Sequence, residues 1–532
     1  MSDAAAPEHG ESEGFNRTLA LLLSMAMFVL VVDTSLMNVS ISAVVRDIDA
    51  TVSGVQSAIA LEALVSASFI LIGGKVGDLI GRKRAYILGL CGYGVGAIAM
   101  TLAQGLVAII VFWAVIGGIG AALLLPGMQS LIHGNFEGAA QKRVYAFVGA
   151  SAAIAAAVGP LIGGLLTTTL SWRVGFLMEA VIIAVVLAGA GLVKDVAYTG
   201  PRQVDLVGAG LSILGMGGLV LGILVWQEGG EAVGALIAVG LVGLGSLVYW
   251  LVRRKRAGGT TLVDPTLFRS IHFRLGVSGQ LLQQIALGGA MITLPIYLQM
   301  VLEYNALEAG LSLAPLSLSM FVLAAWAGRR AGNWRSSVVI RGGFFLVALG
   351  LIAVAIVVPR ADSGWALAVP LVVTGSGLGL LVSQLNNFTL APISEERVSE
   401  ASAVNSAAGS FGLSFGLAFA GAIMLAALSG AFTSAAHSSD VLPPAAKDQV
   451  AQALEDDAQV MSNTHLNEQL AGQPEEIRTE IIRINSDVRP QALQIGLLIP
   501  IVSALIGLVV SFRMVRLPDL KRSSTAEDLG AL

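Results

Sequence analysis

The chain has 532 residues, of which 55% are hydrophobic and only 12% charged, with a mean hydropathy of +0.80. No soluble chain of this length needs so much apolar sequence, so it reads as a polytopic membrane protein. The net charge of −4 says little by itself, because its distribution matters more. Cys91 is the one cysteine. It lies in an apolar run, which excludes disulfides, Cys-based metal sites and thiol catalysis. Residues 1–16 are polar and acidic without a basic n-region, so residues 1–18 are expected to form a cytoplasmic tail and not a cleaved signal. The Ala, Gly and Val bias suggests a high-GC bacterium.

A span needs about 20 apolar residues. In chain order, fourteen are predicted: 19–43, 54–75, 85–104, 107–132, 144–168, 174–193, 206–226, 235–252, 275–301, 306–328, 338–358, 365–388, 402–428 and 491–512. Gly is dense across 206–252. With the N-terminus inside, only seven of the 31 Lys and Arg residues face outward: Arg46, Arg173, Arg360, Lys447, Arg478, Arg483 and Arg489. Four of these fall in one long loop, which the positive-inside rule discounts. Trp172, Trp226, Trp250, Trp326, Trp334 and Trp365 fall near predicted span ends, as interface anchors do. Both termini are therefore expected inside, with 513–532 as a second cytoplasmic tail.

Arg253, Arg254, Lys255 and Arg256 close span 8, and Arg329, Arg330, Arg335 and Arg341 lie between spans 10 and 11. The second cluster matches the basic turn after span 2 if spans 9–14 repeat spans 1–6, the way internal repeats build such transporters. The expected fold is thus an all-α membrane bundle. One six-helix half covers 19–193 and the other 275–512, with two linker helices inserted at 206–252. Residues 430–490 hold ten acidic and four basic residues and are expected to form an extracytoplasmic loop. Val450, Leu454 and Ala458, and then Ile477 and Ile481, recur at helical spacing, which predicts two short amphipathic helices there.

The turn between spans 2 and 3 is Gly74-Lys75-Val76-Gly77-Asp78-Leu79-Ile80-Gly81-Arg82-Lys83-Arg84. Its glycines allow a tight turn and close helix approach, and its basic triplet marks the cytoplasmic side. The G-x-x-x-D-x-x-G-R-K-R string resembles the loop 2–3 signature of the major facilitator superfamily. Gly74, Asp78, Gly81, Arg82 and Lys83 are the inner-gate candidates that this resemblance implies.

Span 1 carries Asp33-Thr34-Ser35-Leu36-Met37-Asn38-Val39. An acid inside hydrocarbon costs roughly 2.5–3.5 kcal/mol on insertion scales and usually serves an ion, proton or substrate. This D-T-S-x-x-N-V string resembles the first-helix signature of the 14-helix drug:proton antiporters, the QacA-like and EmrB-like branch. Glu62 in span 2 is a second acid, where that branch more often has an aromatic. At about 1.5 Å per residue, Asp33 lies about 15 Å and Glu62 about 12 Å below the outer ends of their spans. Two carboxyls at one level on neighbouring helices should not both ionise, because desolvation and like charge both disfavour the charged form. Asp33 and Glu62 are the proton-coupling candidates. Glu179, at the start of span 6, stands where the branch usually has Asn and is expected to be hydrated near the interface.

Span 5 ends in Gly159-Pro160-Leu161-Ile162-Gly163-Gly164. This G-P-x-x-G-G ending resembles the antiporter motif of superfamily exporters; small residues let helices approach closely, and Pro160 bends its helix. Ala114 stands where the branch typically has an arginine that helps proton coupling. In the second half, Leu294-Pro295-Ile296-Tyr297-Leu298-Gln299 resembles the ninth-helix region. Asn38, Gln283, Gln284, Gln384 and Asn387 are the substrate-cavity candidates, and Gln280, Asn386 and Asn405 are further polar residues within spans. Neutral amides in a cavity suit recognition, although several are equally suited to bonding between helices.

The five histidines, His9, His133, His272, His437 and His465, lie away from span centres, which excludes haem-ligating pairs. There is no Walker A string, so direct ATP coupling is not expected. No filter-like segment or charged ring suggests a channel. The resemblance implies a non-enzymatic, proton-coupled efflux transporter of the bacterial inner (plasma) membrane. It would export a lipophilic, drug-like compound, neutral or cationic, with antibiotic resistance as the consequence. Export of an endogenous lipid or secondary metabolite, or a receptor on a transporter scaffold, are the competing readings. Expected partners are a small-molecule substrate, protons and the lipid bilayer, with no nucleic acid, no cofactor and no metal, and the chain is expected to be a monomer.

Overall fold

The computed structural model describes residues 16–136, 138–195, 205–227, 230–330, 334–361, 363–393, 397–444 and 470–518, and also 447, 448, 450, 466 and 467. Within them are fourteen helices long and apolar enough to cross a membrane. They are α1 (Arg17–Ile48), α2 (Val52–Ile80), α3 (Arg82–Leu102), α4 (Leu106–Ile132), α5 (Arg143–Thr169), α6 (Trp172–Leu192) and α7 (Leu206–Trp226). The chain continues through α8 (Val233–Arg256), α9 (Ile271–Val301), α10 (Ala306–Arg329), α11 (Ser336–Arg360), α12 (Gly364–Leu390), α13 (Glu400–Ser438) and α14 (Glu475–Val515).

The helix starts are written locally. Asn16 caps α1, Thr51 caps α2 and Ser270 caps α9, each accepting a backbone N–H of the first turn. Asn305 and Glu308 form a reciprocal capping box at the start of α10.

The same packing occurs twice. In the first half α1 packs on α5 and α6, α4 on α2 and α3, and α3 on α6. In the second, α9 packs on α13 and α14, α12 on α10 and α11, and α11 on α14. The halves meet along α5–α10 and α2–α13. This is the two-times-six arrangement, with α7 and α8 packed as a pair and α7 lying on α2 and α13. The Gly-rich sequence permits that pairing, because Gly218 and Gly240 face each other with no room for a Cβ on either.

Asp205 fixes the inserted pair. Its carboxylate accepts from the Trp250 indole N–H and from the backbone N–H groups of Gly208 and Leu262, and lies 3.7 Å from Arg254. Beyond α8, Asp264 pairs with Lys255 and Arg397. Partial burial disfavours its charge, but the Lys255 ammonium and the Thr266 N–H more than offset that and hold its carboxyl below the usual range.

The last two spans differ from expectation. α13 runs to Ser438 and α14 starts at Glu475, so the loop expected over 430–490 is narrower and both helices project past the membrane thickness. An apolar cluster of Phe432, Ala436, Leu442, Leu466, Ile481, Ile484 and Val488 joins the projecting ends. Ser439 donates to Glu480 across them at 2.6 Å. Ile477 and Ile481 belong to α14 and not to a separate short helix. Val450 packs on the same cluster, whereas Leu454 and Ala458 lie outside the described residues, as do most of both expected tails.

Candidate functional site

Asp33 sits midway along α1 and is only 1% exposed. Two donors from neighbouring helices converge on it. The Tyr93 hydroxyl of α3 donates to Oδ2. The Trp113 indole N–H of α4 reaches both carboxylate oxygens at 3.0 Å. Trp113 belongs to a π-helical stretch, Ile109–Gly117, and such stretches often mark functional sites in helices. It is held edge-on against Phe176 of α6, with ring centroids 6.2 Å apart. A buried carboxylate needs such donors, since without them its lost hydration is uncompensated.

Glu62 of α2 is likewise buried and lies within electrostatic reach of Asp33. α2 and α4 touch at this level, because a Cβ on Gly118 would lie 2.9 Å from the Glu62 carbonyl oxygen. Ala114 is fully buried in the apolar cluster that includes Trp113, Trp172 and Phe176. The polar contact that this stretch of α4 makes with the acids therefore comes from Trp113.

Glu179 corrects the sequence reading. It is not hydrated at the interface but 1% exposed, and neither of its carboxyl oxygens has a hydrogen-bond partner. Asp33 and Glu62 lie within electrostatic reach of it. Sequence reasoning also missed Tyr93 and Trp113. The available signal was a polar tip on an aromatic ring within each of two spans beside an acid-bearing one.

The amides separate into two groups. Asn38 is buried with both side-chain polar atoms unpartnered, and the Oε1 atoms of Gln283 and Gln284 are likewise unpartnered. Gln280 and Gln284 lie against Gly409 of α13. Gln384, by contrast, accepts from Ser336 and donates to the Ala327 carbonyl. It ties α10, α11 and α12 together and leaves the group of cavity candidates. Asn387 is exposed and donates to Ser383 of its own helix. Asn405 bonds Asn386 at 3.4 Å.

In the α2–α3 turn, Gly81 has φ +104°, a conformation that disfavours any residue with a Cβ. Asp78 pairs with Arg82 at 3.5 Å within the hairpin, and the Lys83 N–H donates to Asp195 after α6. Gly74 has only the Pro126 side chain near it. The halves touch at this end through Ser402 and Gln129. Asp78→Ala is expected to leave ligand affinity nearly intact while slowing turnover. Binding and flux assays on one preparation check this, and lost binding with unchanged turnover contradicts it.

At the opposite end, Gly159 and Gly163 press on Ser35 and Leu36 of α1, and Gly164 presses on the Ala306 backbone of α10. Gly310 of α10 meets the Pro160 carbonyl in return. Thr168 accepts the Leu307 N–H at 3.1 Å, and Ser42 of α1 donates to Gln299 of α9. The G-P-x-x-G-G segment therefore forms two interfaces, one within its half and one between halves.

Two six-helix halves with a buried acid site beside their junction define a membrane transporter. The profile of the Major Facilitator Superfamily matches residues 23–417, and the chain belongs to that superfamily. It is 27% identical to the probable actinorhodin transporter of Streptomyces coelicolor, over 70% of this chain and 66% of that one. It is 27% identical to multidrug resistance protein Stp of Mycobacterium tuberculosis, over 74% and 73%, and 26% identical to multidrug export protein EmrB of Escherichia coli, over 73% and 76%. Among solved structures, a bacterial homolog of the human lysosomal transporter Spinster superposes with a TM-score of 0.64. It is 12% identical, covers 95% of this chain and 99% of its own, and supports the fold alone.

Proposed function

We propose that the chain is a proton-driven exporter of lipophilic, drug-like compounds, cations among them. The observation that carries this reading is the acid pair of Asp33 and Glu62, buried where negative charge is costly, in a member of this superfamily. A proton or a cation can neutralise such a pair, but both together overfill it. Mutually exclusive occupancy is the requirement for exchange. The relatives named for multidrug export support the direction of transport.

In this reading the chain works as a monomer in the bacterial inner membrane, with the basic Arg82–Arg84 end and both termini cytoplasmic. Residues 19–193 and 275–512 are the two moving halves and 206–252 the linker. Rocking of the halves exposes the site to each side in turn. Asn38, Gln283 and Gln284, with unpartnered amide atoms, are the polar contacts offered to substrate.

The test is efflux of a panel of lipophilic dyes from vesicles under an imposed pH gradient. Flux that follows the gradient supports exchange, and ligand binding without pH-linked flux indicates a receptor. Export of a secondary metabolite is the second reading, favoured by the similarity to the actinorhodin transporter and by Ala114 in place of the branch's arginine. A metabolite moved in the assay where the dyes are not would select it.

Glu62→Gln tests the pairing. The amide removes one like charge from beside Asp33, so the remaining acid loses its proton more readily. The pH profile of flux is then expected to move toward acid. A profile unchanged in shape and midpoint makes Glu62 a packing residue.

A further inference from the structure

Glu179 is not used by the exchange described above, and the fold gives it no structural task. A side chain that ties helices together shows it in its hydrogen bonds, as Gln384 does with Ser336 and Ala327. Both Glu179 carboxyl oxygens lie buried without a partner. The Tyr93 and Trp113 donors nearest the site are spent on Asp33. Among the described residues no donor bonds Glu179 to support a negative charge, and an unpaired buried carboxylate costs several kcal/mol. An uncharged carboxylic acid fits the same space without that cost.

The groups facing Glu179 explain why the acid is not inert. Within electrostatic reach of Glu179 are Asp33 of α1, Glu62 of α2 and Tyr93 of α3. From α4 the neighbouring polar group is Trp113. α5 carries its titratable Arg143 and Tyr145 in its first turn, remote from Glu179 along the helix. The charge on each acid therefore depends on the protonation of the other two, and a change at the Asp33–Glu62 pair is felt at Glu179.

We propose that Glu179 holds a second exchangeable proton at this site, alongside the one shared by Asp33 and Glu62. The step is a simple ionisation. The Glu179 carboxylic acid releases one proton and becomes carboxylate when rearrangement of the half brings water or a donor to it, and it regains one proton when the site closes. The inference rests on the proton-exchange reading and deepens it. A carrier with two proton positions can exchange two protons for one substrate.

Infrared difference spectra of the full-length protein in lipid nanodiscs, taken between acid and alkaline pH, count the carboxylic acids that exchange protons. Two such groups are expected in the wild type, and Glu179→Gln should reduce the buried carboxylic-acid carbonyl signal to about half. Glu179→Asp should keep the signal and move its frequency. A Glu179→Gln spectrum equal to wild type overturns the proposal. If Glu179→Gln does not assemble, Glu179→Asp decides: an unshifted carbonyl band overturns the proposal and a shifted one supports it. Dye flux from vesicles made with the same protein tests the exchange reading separately. Lost flux in wild type with the Glu179 signal intact overturns the exchange reading alone.

Discussion

Asp33→Asn is expected to reduce pH-driven flux to the level of vesicles that lack the protein, while leaving the chain in the membrane. The amide has the size of the carboxyl, so helix α1 keeps its packing. Its chemistry fails in two ways. It carries no exchangeable proton in the working range. It also presents an NH2 group where Tyr93 and Trp113 both donate to Asp33, so one oxygen must serve two donors. The bonds lost are charge-assisted and buried, the kind worth most in a low-dielectric site. Membrane expression and thermal stability, measured beside flux, separate a chemical loss from a folding loss. Full flux in a well-expressed Asp33→Asn would remove Asp33 from the mechanism.

Much of this was legible in the sequence, because the bilayer imposes a length and a polarity on every span. Fourteen apolar runs gave fourteen helices, and the paired linker was found despite its glycines. Asp33 and Glu62 stood out because charge in an apolar run is costly. What was not legible is which faces meet. Glu179 lies two turns into α6 and looked interfacial, yet its side chain is buried at 1% exposure. Trp113 and Tyr93 do not stand out within apolar runs, and only the helix arrangement turns their polar tips onto Asp33. Gln384 looked like a cavity amide, but a neighbouring helix presents Ser336 to it. The loop expected over 430–490 is drawn too wide, because α13 runs on to Ser438 and α14 begins at Glu475, so Pro490 lies within α14.

Gly164→Val is expected to cause the largest loss of transport among changes that leave the acids untouched. A Cβ at Gly164 would lie 2.5 Å from the Ala306 carbonyl oxygen and 2.8 Å from the Leu307 Cα. Both are backbone atoms, which cannot step aside as a flexible side chain can. Gly310 meets the Pro160 carbonyl from the other side, so α5 and α10 cross where neither has room to retreat. This contact joins the two halves at the end opposite the basic loop, and in the exchange cycle proposed here it forms and releases in each turnover. Overpacking costs roughly 1–3 kcal/mol, enough to shift the equilibrium between closed and open forms of that end by about five- to 150-fold. The variant should therefore fold and insert, because the interface within its own half, where Gly159 and Gly163 pack on α1, is unaltered. It should stay open at the α5–α10 end. Labelling of Ser42→Cys by a membrane-impermeant thiol reagent, in a background lacking Cys91, reads that opening directly. Labelling is expected to rise with Gly164→Val and dye flux to fall. Gly149→Ala is the control, since a Cβ there meets nothing within 4 Å, and it should leave both unchanged. Wild-type labelling and flux in Gly164→Val would mean that the α5–α10 crossing separates without regard to its packing, and that the closing contact of the halves lies elsewhere.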